Sequence, residues 1–297
     1  MVGIVSAPSN LGLRPPEPTA VPGTARAPEA LREAGLYDRL MATGAVDSGT
    51  VLPGRYVDDK VAGSSRVRNQ DALVAHTRRL GHRLDEVTAA GRRPLVIGGD
   101  CSILLGAGLH LRQRGRFGLV HIDGHTDFRH PGNSGECASV GGEDLAAAIG
   151  LHWPAVSDID GLGPYWAPAD VVHVGCRDDD EDLAEVRATI ASTVLSSEWI
   201  ADPGAAAAVI DSVVRRADLD GFWIHLDVDV LDPGVMPAVD SPEPGGLDPH
   251  QLADLLAHLW TDCAGLDVTI FDPDLDPSGD AARLLTEIIT SVLGCRV

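Results

Sequence analysis

The sequence predicts an α/β protein with three layers, helices packed on both faces of a mainly parallel central sheet. Two observations carry this expectation. Apolar, β-branched runs alternate with helix-period segments along the whole 297-residue chain. Most of those runs are continuously apolar rather than alternating, as in strands buried on both faces.

The strand candidates are residues 2–6, 94–97, 117–122, 170–174, 222–228 and 266–271. Helix-period segments lie between them at 28–34, 67–90, 102–113, 182–191, 203–216, 249–260 and 281–293. No internal repeat and no linker interrupts the alternation, so a single domain over residues 1–297 is expected. The Pro-rich stretch 13–22 follows the first strand and reads as a surface loop. Two further irregular stretches, 129–143 and 231–246, each follow a strand directly. Ligand sites of parallel α/β sheets form outside the carboxyl ends of strands, so function is sought in these loops.

Bulk properties narrow the function classes. A formal net charge of −21 argues against nucleic acid or an anionic membrane as partner. A small neutral or cationic molecule is the expected substrate. The five cysteines, Cys101, Cys137, Cys176, Cys263 and Cys295, are odd in number and form no CxxC pair, which reads as a reducing compartment. No run approaches the ~20 apolar residues of a membrane span. The opening MVGIVSAPSN lacks the basic start and apolar core of a signal peptide. The expected location is the cytoplasm.

The chemistry is concentrated in two segments. His121-Ile-Asp-Gly-His-Thr-Asp127 closes the third predicted strand. Side chains at i, i+2 and i+4 of an extended segment share a side, so Asp123, His125 and Asp127 converge. Leu226-Asp-Val-Asp229 ends another strand and aligns Asp227 with Asp229 in the same way. Four carboxylates and one imidazole in one place repel and shift one another's pKa unless cations are present. An oxygen-rich set with nitrogen suits hard or borderline divalent ions, with manganese a good candidate. Two such ions sharing carboxylates supply hydroxide near neutral pH. A third segment, Val96-Ile-Gly-Gly-Asp-Cys-Ser102, reads as a tight strand–helix turn whose cap is Asp100 or Ser102. His121, His173 and His225 fall inside strands and are expected to be packed or to support the ligand residues from behind. His76, His82, His110, His250 and His258 fall on helices or their starts and are expected at the surface.

GGDCS, DGHTD and DVDVLDP, in this order and at this separation, resemble the signature segments of the ureohydrolases, the family of arginase, agmatinase and formiminoglutamase. Nearly the whole chain shares the resemblance. Ile4-Val-Ser-Ala-Pro8 and Ala27-Pro-Glu-Ala-Leu-Arg-Glu-Ala-Gly-Leu36 resemble the family's opening strand and first helix. Val174-Gly-Cys-Arg-Asp178 and Ser241-Pro-Glu-Pro-Gly-Gly-Leu247 resemble two of its loops. The resemblance implies an arginase-like fold, two divalent ions, Mn2+ above all, and hydrolysis of a C–N bond in a small guanidino or amidino compound, in a homo-oligomer of three or six chains. It implies that Asp123 and Asp227 bridge the metals. Asp127 and residue 101 complete one ion, His125 and Asp229 the other. Asp127 also serves as a catalytic group, handling the proton of the bridging water. Asp180 and Glu243 fall where substrate is bound.

Three departures from the family pattern matter. Cys101 stands where histidine is usual, and it is either a thiolate ligand, which opens the site to Zn2+ or Fe2+, or a small buried residue filling the gap. With the prolines aligned, Ile270 stands where a glutamate pairs with the guanidinium, and Asp272 is the expected substitute. The segment 135–142 lacks the family's proton-shuttling histidine, and His130 is the candidate replacement. Two alternatives follow. One is a hydrolase of a neutral amide or formyl-type substrate. The other is a catalytically degenerate member that binds or supports a partner.

Overall fold

The computed structural model describes residues 1–294 and contains one eight-stranded sheet. Its strands are β1 (Val2–Ala7), β2 (Val46–Thr50), β3 (Arg93–Gly98), β4 (Gly118–Ile122), β5 (Val171–Val174), β6 (Ser192–Val194), β7 (Phe222–Asp227) and β8 (Gly265–Thr269). They lie in the order β2-β1-β3-β8-β7-β4-β5-β6, and every neighbouring pair is parallel. The three-layer α/β expectation is therefore met, with the sheet wholly parallel.

Alternation along each strand builds two cores. Val120 and Ile122 of β4, Ile224 and Leu226 of β7, and Leu266 and Val268 of β8 face one side. There they meet the helices α1 (Ala27–Glu33), α2 (Leu36–Ala42), α8 (Ser196–Ala201), α9 (Pro203–Val214), α10 (Pro249–Trp260) and α11 (Asp280–Leu293). Leu119, Val171 and Trp223 face the other side. That side is covered by α3 (Gln70–Ala89), α4 (Leu104–Arg112), α5 (Asp144–Ala148), α6 (Pro154–Ser157) and α7 (Leu183–Thr189).

All six predicted strands form, with ends shifted by one or two residues. The two strands not anticipated, β2 and β6, are the sheet edges. Their sequences, VDSGT and STV, are short and polar because an edge strand buries little, so they give no apolar signal. Helices α2, α5, α6 and α8 also went unread, each no longer than seven residues. Two histidines expected at the surface are buried instead. His76 of α3 meets the Val51 carbonyl at 3.0 Å, and His110 of α4 meets Asp85 Oδ1 at 2.6 Å. Both sit within the α3–α4 side of the sheet, where helix pattern alone does not reveal which face is covered. Cys101, Cys137, Cys176 and Cys263 are free and buried; Cys295 lies outside the described residues. No helix among the described residues is long and apolar enough to cross a membrane.

The sheet is held by its apolar faces, and β7 is central. Leu226 is fully buried between β4, β8 and the outer helices. Replacing it with alanine is expected to lower unfolding free energy by about 3 kcal/mol, read from urea denaturation.

Candidate metal centre

Four adjacent strands, β3, β8, β7 and β4, end together, and the predicted ligands sit on those ends. The turn after β3 fixes Cys101. Gly99 runs so close to the Ser9 carbonyl that an added Cβ would lie 1.8 Å from its oxygen, so only glycine fits. Asp100 then accepts from Ser9 Oγ at 2.7 Å and from the Ser102 amide at 2.9 Å, capping the turn. Cys101 is fully buried, with Sγ 3.0 Å from Asp227 Oδ2 and 3.1 Å from Thr269 Oγ1. Burial, followed by the charge of Asp227, pushes its thiol well up.

At the end of β4, Asp123 Oδ1 accepts from the His125 amide at 2.7 Å. His125 Nδ1 then stands 2.9 Å from Asp229 Oδ2 and 3.8 Å from Asp123 Oδ1. At the end of β7, Asp227 Oδ1 accepts from the Asp229 amide at 2.8 Å, and Asp229 Oδ1 accepts from the Gly124 amide at 3.0 Å. The two segments are thus laced to one another by their own backbone. Asp127 adopts φ +45, a left-handed conformation that aspartate tolerates better than most residues.

Electrostatics show what this crowding costs. Burial and then neighbouring carboxylates push Asp123, Asp127 and Asp227 well above the usual carboxylate range. Asp229 alone is held low; burial opposes its charge, but the His125 hydrogen bond and charge overcome it. Burial likewise opposes charge on His125, yet Asp229 and Glu243 lift its pKa to about 8. Asp123 Oδ2 is buried without a hydrogen-bond partner. Oxygen donors turned to one point, one of them orphaned, together with one imidazole, fit divalent cations. Asp123, His125 and Asp229 offer ligand atoms within 4.8 Å of one another.

These residues open into a cavity of about 530 Å³. His125, Asp127, Asp227 and Asp229 lie in its wall, as do the predicted substrate residues Asp180 and Glu243. Glu243 Oε2 is 3.3 Å from His125 Nε2. Asp180 accepts from both the Thr126 amide at 2.9 Å and its hydroxyl at 2.7 Å, which ties the 178–182 loop to the metal segment.

Two predicted residues are placed elsewhere. His130 does not line the cavity: Nε2 faces Glu185 of α7 at 3.1 Å and Nδ1 accepts from the Gly132 amide, so both ring nitrogens are engaged away from it. Asp272 is also turned away. It accepts from the Gly23 amide at 3.1 Å and the Asp274 amide at 2.9 Å, capping a short turn. Ile270 itself faces the cavity, at φ +70 and 2% exposed. For a β-branched residue that conformation costs on the order of 1–3 kcal/mol. It ends β8, and the Ile270 amide donates to Gly99 at 2.8 Å, closing the floor between β8 and β3.

Three residues outside the predicted set also shape the site. Asp240 lines the cavity, and burial, then Asp229, lift it to about 6. Glu143 is buried, accepting from the Ala138 and Ser139 amides and facing His152 Nε2 at 2.9 Å, so it braces the loop over the cavity. Arg177 donates to the Gly175, Asp229, Glu243 and Pro244 carbonyls. Of these, only Arg177 had a signal in the sequence, as part of the Val174–Asp178 segment.

Known proteins share this architecture. The sequence matches the Arginase family over residues 2–295. The chain belongs to the arginase family. Arginase of Agrobacterium fabrum is 30% identical over 295 residues, covering 93% of this chain and 87% of the relative. Arginase of Bacillus caldovelox is 29% identical over 280 residues, covering 92% and 93%. The crystal structure of arginase from Bacillus subtilis superposes with a TM-score of 0.84 at 22% identity, over 100% of this chain and 99% of that one. The chain is accordingly a ureohydrolase-type enzyme, of the class that hydrolyses C–N bonds of linear amidines.

Arg177 holds the carbonyl of Asp229, a predicted ligand, and the loop bearing Glu243 at once. Arg177→Lys, which keeps the charge but loses the fork, is expected to weaken Mn2+ binding by about tenfold, read by titration of the chelator-stripped protein.

Proposed function

We propose that the chain hydrolyses a C–N bond of a small guanidino or amidino compound at a centre of two divalent ions. Family membership supports the class of reaction. The observation that carries the metal reading is the convergence of Asp123, His125, Asp127, Asp227 and Asp229 on one end of the sheet, where burial and mutual proximity oppose the charge of three of the carboxylates. Asp127, Asp123 and Asp227, with Cys101 beside Asp227, would hold one ion; His125, Asp229 and the same bridging pair would hold the other. Mn2+ suits the oxygen-rich set, with Zn2+ or Fe2+ admitted if Cys101 ligates. When bound, such ions supply Lewis-acid polarisation and a water that ionises near neutral pH.

The chain's own residues do the rest. Asp127, half-buried in the cavity wall, holds a proton at its carboxylate and passes it to the departing amine. Asp179, Glu181 and Asp182 join Asp180 on the rim and draw in a cationic substrate. Glu243 and Asp180 bind its polar end. Neither His130 nor Asp272 enters this reading. A homo-oligomer of three or six chains and a cytoplasmic location belong to the same proposal.

Ile270 favours a second reading. A guanidinium seated against it would lose an ion pair while keeping its desolvation cost. A neutral amide or formyl group would not.

Metal-loaded protein should be offered a panel of guanidino compounds and neutral amides, with urea, ammonia, formate and free amine as readouts. Urea or ammonia from a guanidino compound is expected, falling about a thousandfold in Asp127→Asn. Formate or amine from neutral substrates, with guanidino compounds untouched, would replace this reading by the second. Ile270→Glu is expected to lower KM for a guanidino substrate by about tenfold or more, as a charge-assisted hydrogen bond contributes roughly 1.5–3 kcal/mol.

A further inference from the structure

Directly beneath the candidate metal centre lies a second tier of polar residues. Parallel register places His173 of β5, His121 of β4, His225 of β7 and Asp267 of β8 in one row across the sheet. Asp123, Asp227 and Thr269 are two residues further along the same strands, so they share the same face. The row is fully or almost fully buried, and Asp144 of α5, also fully buried, closes over it.

Histidines in such a place need their hydrogens accounted for. His225 Nδ1 is 2.5 Å from Asp267 Oδ1, and Asp267 Oδ2 accepts from Trp223 Nε1, also at 2.5 Å. Asp267 therefore fixes a proton of His225 on Nδ1 and leaves Nε2 as the nitrogen open to another partner. That Nε2 has no hydrogen-bond partner. His121 Nδ1 faces His173 Nδ1 at 2.9 Å, and His121 Nε2 meets Asp144 Oδ2 at 3.4 Å. The rings of His121 and His225 stack with centroids 4.8 Å apart. Asp144 Oδ1 and Asp123 Oδ2 are likewise buried without partners.

His121, His225 and Asp144 offer ligand atoms within 4.8 Å of one another, and Asp123 lies above them. Asp144 Oδ2 is 3.4 Å from His121 Nε2 and 3.6 Å from His225 Nε2, and Asp123 Oδ2 is 3.9 Å from His121 Nε2. Ligands at ~2.1 Å in a tetrahedron are separated by about 3.4 Å, so small rotations complete the figure. Two imidazoles and the Asp144 carboxylate, with Asp123 shared with the centre above, offset much of a divalent charge in a buried site. Asp267 behind His225 is the carboxylate partner that metal-bound histidines commonly carry.

We propose that His121 Nε2, His225 Nε2, Asp144 and Asp123 bind a divalent ion of borderline character, such as Zn2+, in a site below Cys101 and joined to the centre above through Asp123. It supplies imidazole nitrogen that position 101 lacks. The site is independent of the substrate reading and is tested without turnover.

Chelator-stripped protein is loaded with Zn2+ and crystallised, and anomalous diffraction at the zinc edge locates the ions. A peak within about 2.0–2.2 Å of both His121 Nε2 and His225 Nε2 is expected. Peaks only among His125, Asp127, Asp227 and Asp229 would overturn the site while leaving the upper centre intact. In solution, the Co2+-loaded protein is expected to show paramagnetically shifted, exchangeable ring N–H signals from three histidines, His121, His125 and His225. His225→Gln should remove one of them and lower bound metal by one ion per chain, whereas Cys101→Ser should leave all three. A single shifted ring signal in the wild type, from His125 alone, would contradict the proposal whether or not the variants fold.

Discussion

Mutual repulsion of carboxylates at the ends of buried strands is the constraint on which this structure turns. A parallel sheet covered on both faces offers its strand ends as the natural place for polar groups. Here β4 and β7, neighbours in the sheet, each end on two or more acids. Backbone amides of Gly124, His125 and Asp229 accommodate part of that charge by donating to Asp229, Asp123 and Asp227. They are too few for all of it. The remainder appears as raised carboxyl pKa values and an unpartnered Asp123 oxygen. A cation resolves both at once.

The surrounding chain holds this arrangement rigid. Gly99 and Asp100 lock the β3 turn against Ser9, and Ile270 gives up comfortable backbone geometry to close the floor. Arg177 gathers four carbonyls beneath the loop that carries Glu243. Polar order continues downward into the histidine row, where Asp267 and Trp223 orient His225. Strained or hydrogen-bonded positions thus cluster around the site, whereas the outer helix layer is held by apolar packing.

Much of this was legible in the sequence, for physical reasons. Strands buried on both faces must be apolar, so β1, β3, β4, β5, β7 and β8 announced themselves. Period two along a strand end made Asp123, His125, Asp127, Asp227 and Asp229 readable as one group. The edge strands β2 and β6 were silent because exposure relaxes their composition. What could not be read is whatever depends on distant segments meeting. His130 is near Asp127 in sequence but turns toward Glu185. Asp272 follows Ile270 closely, yet it serves the Gly23 amide. Asp144 and Glu143 came from a loop with no pattern, and only the folded chain shows what they face. The histidines of the strands looked like packing residues one at a time; cross-strand register makes them a row.

One substitution is expected to have opposite effects with and without cations. Without cations, Asp227 adds to the repulsion; in the proposed centre it would be a shared ligand. Unfolding free energies of wild type and Asp227→Asn, measured by urea denaturation in chelator and again in saturating Mn2+, test this directly. Asp227→Asn is predicted to be the more stable protein in chelator and the less stable one in Mn2+. A change of the same sign in both conditions, or wild-type stability indifferent to Mn2+, would contradict the account.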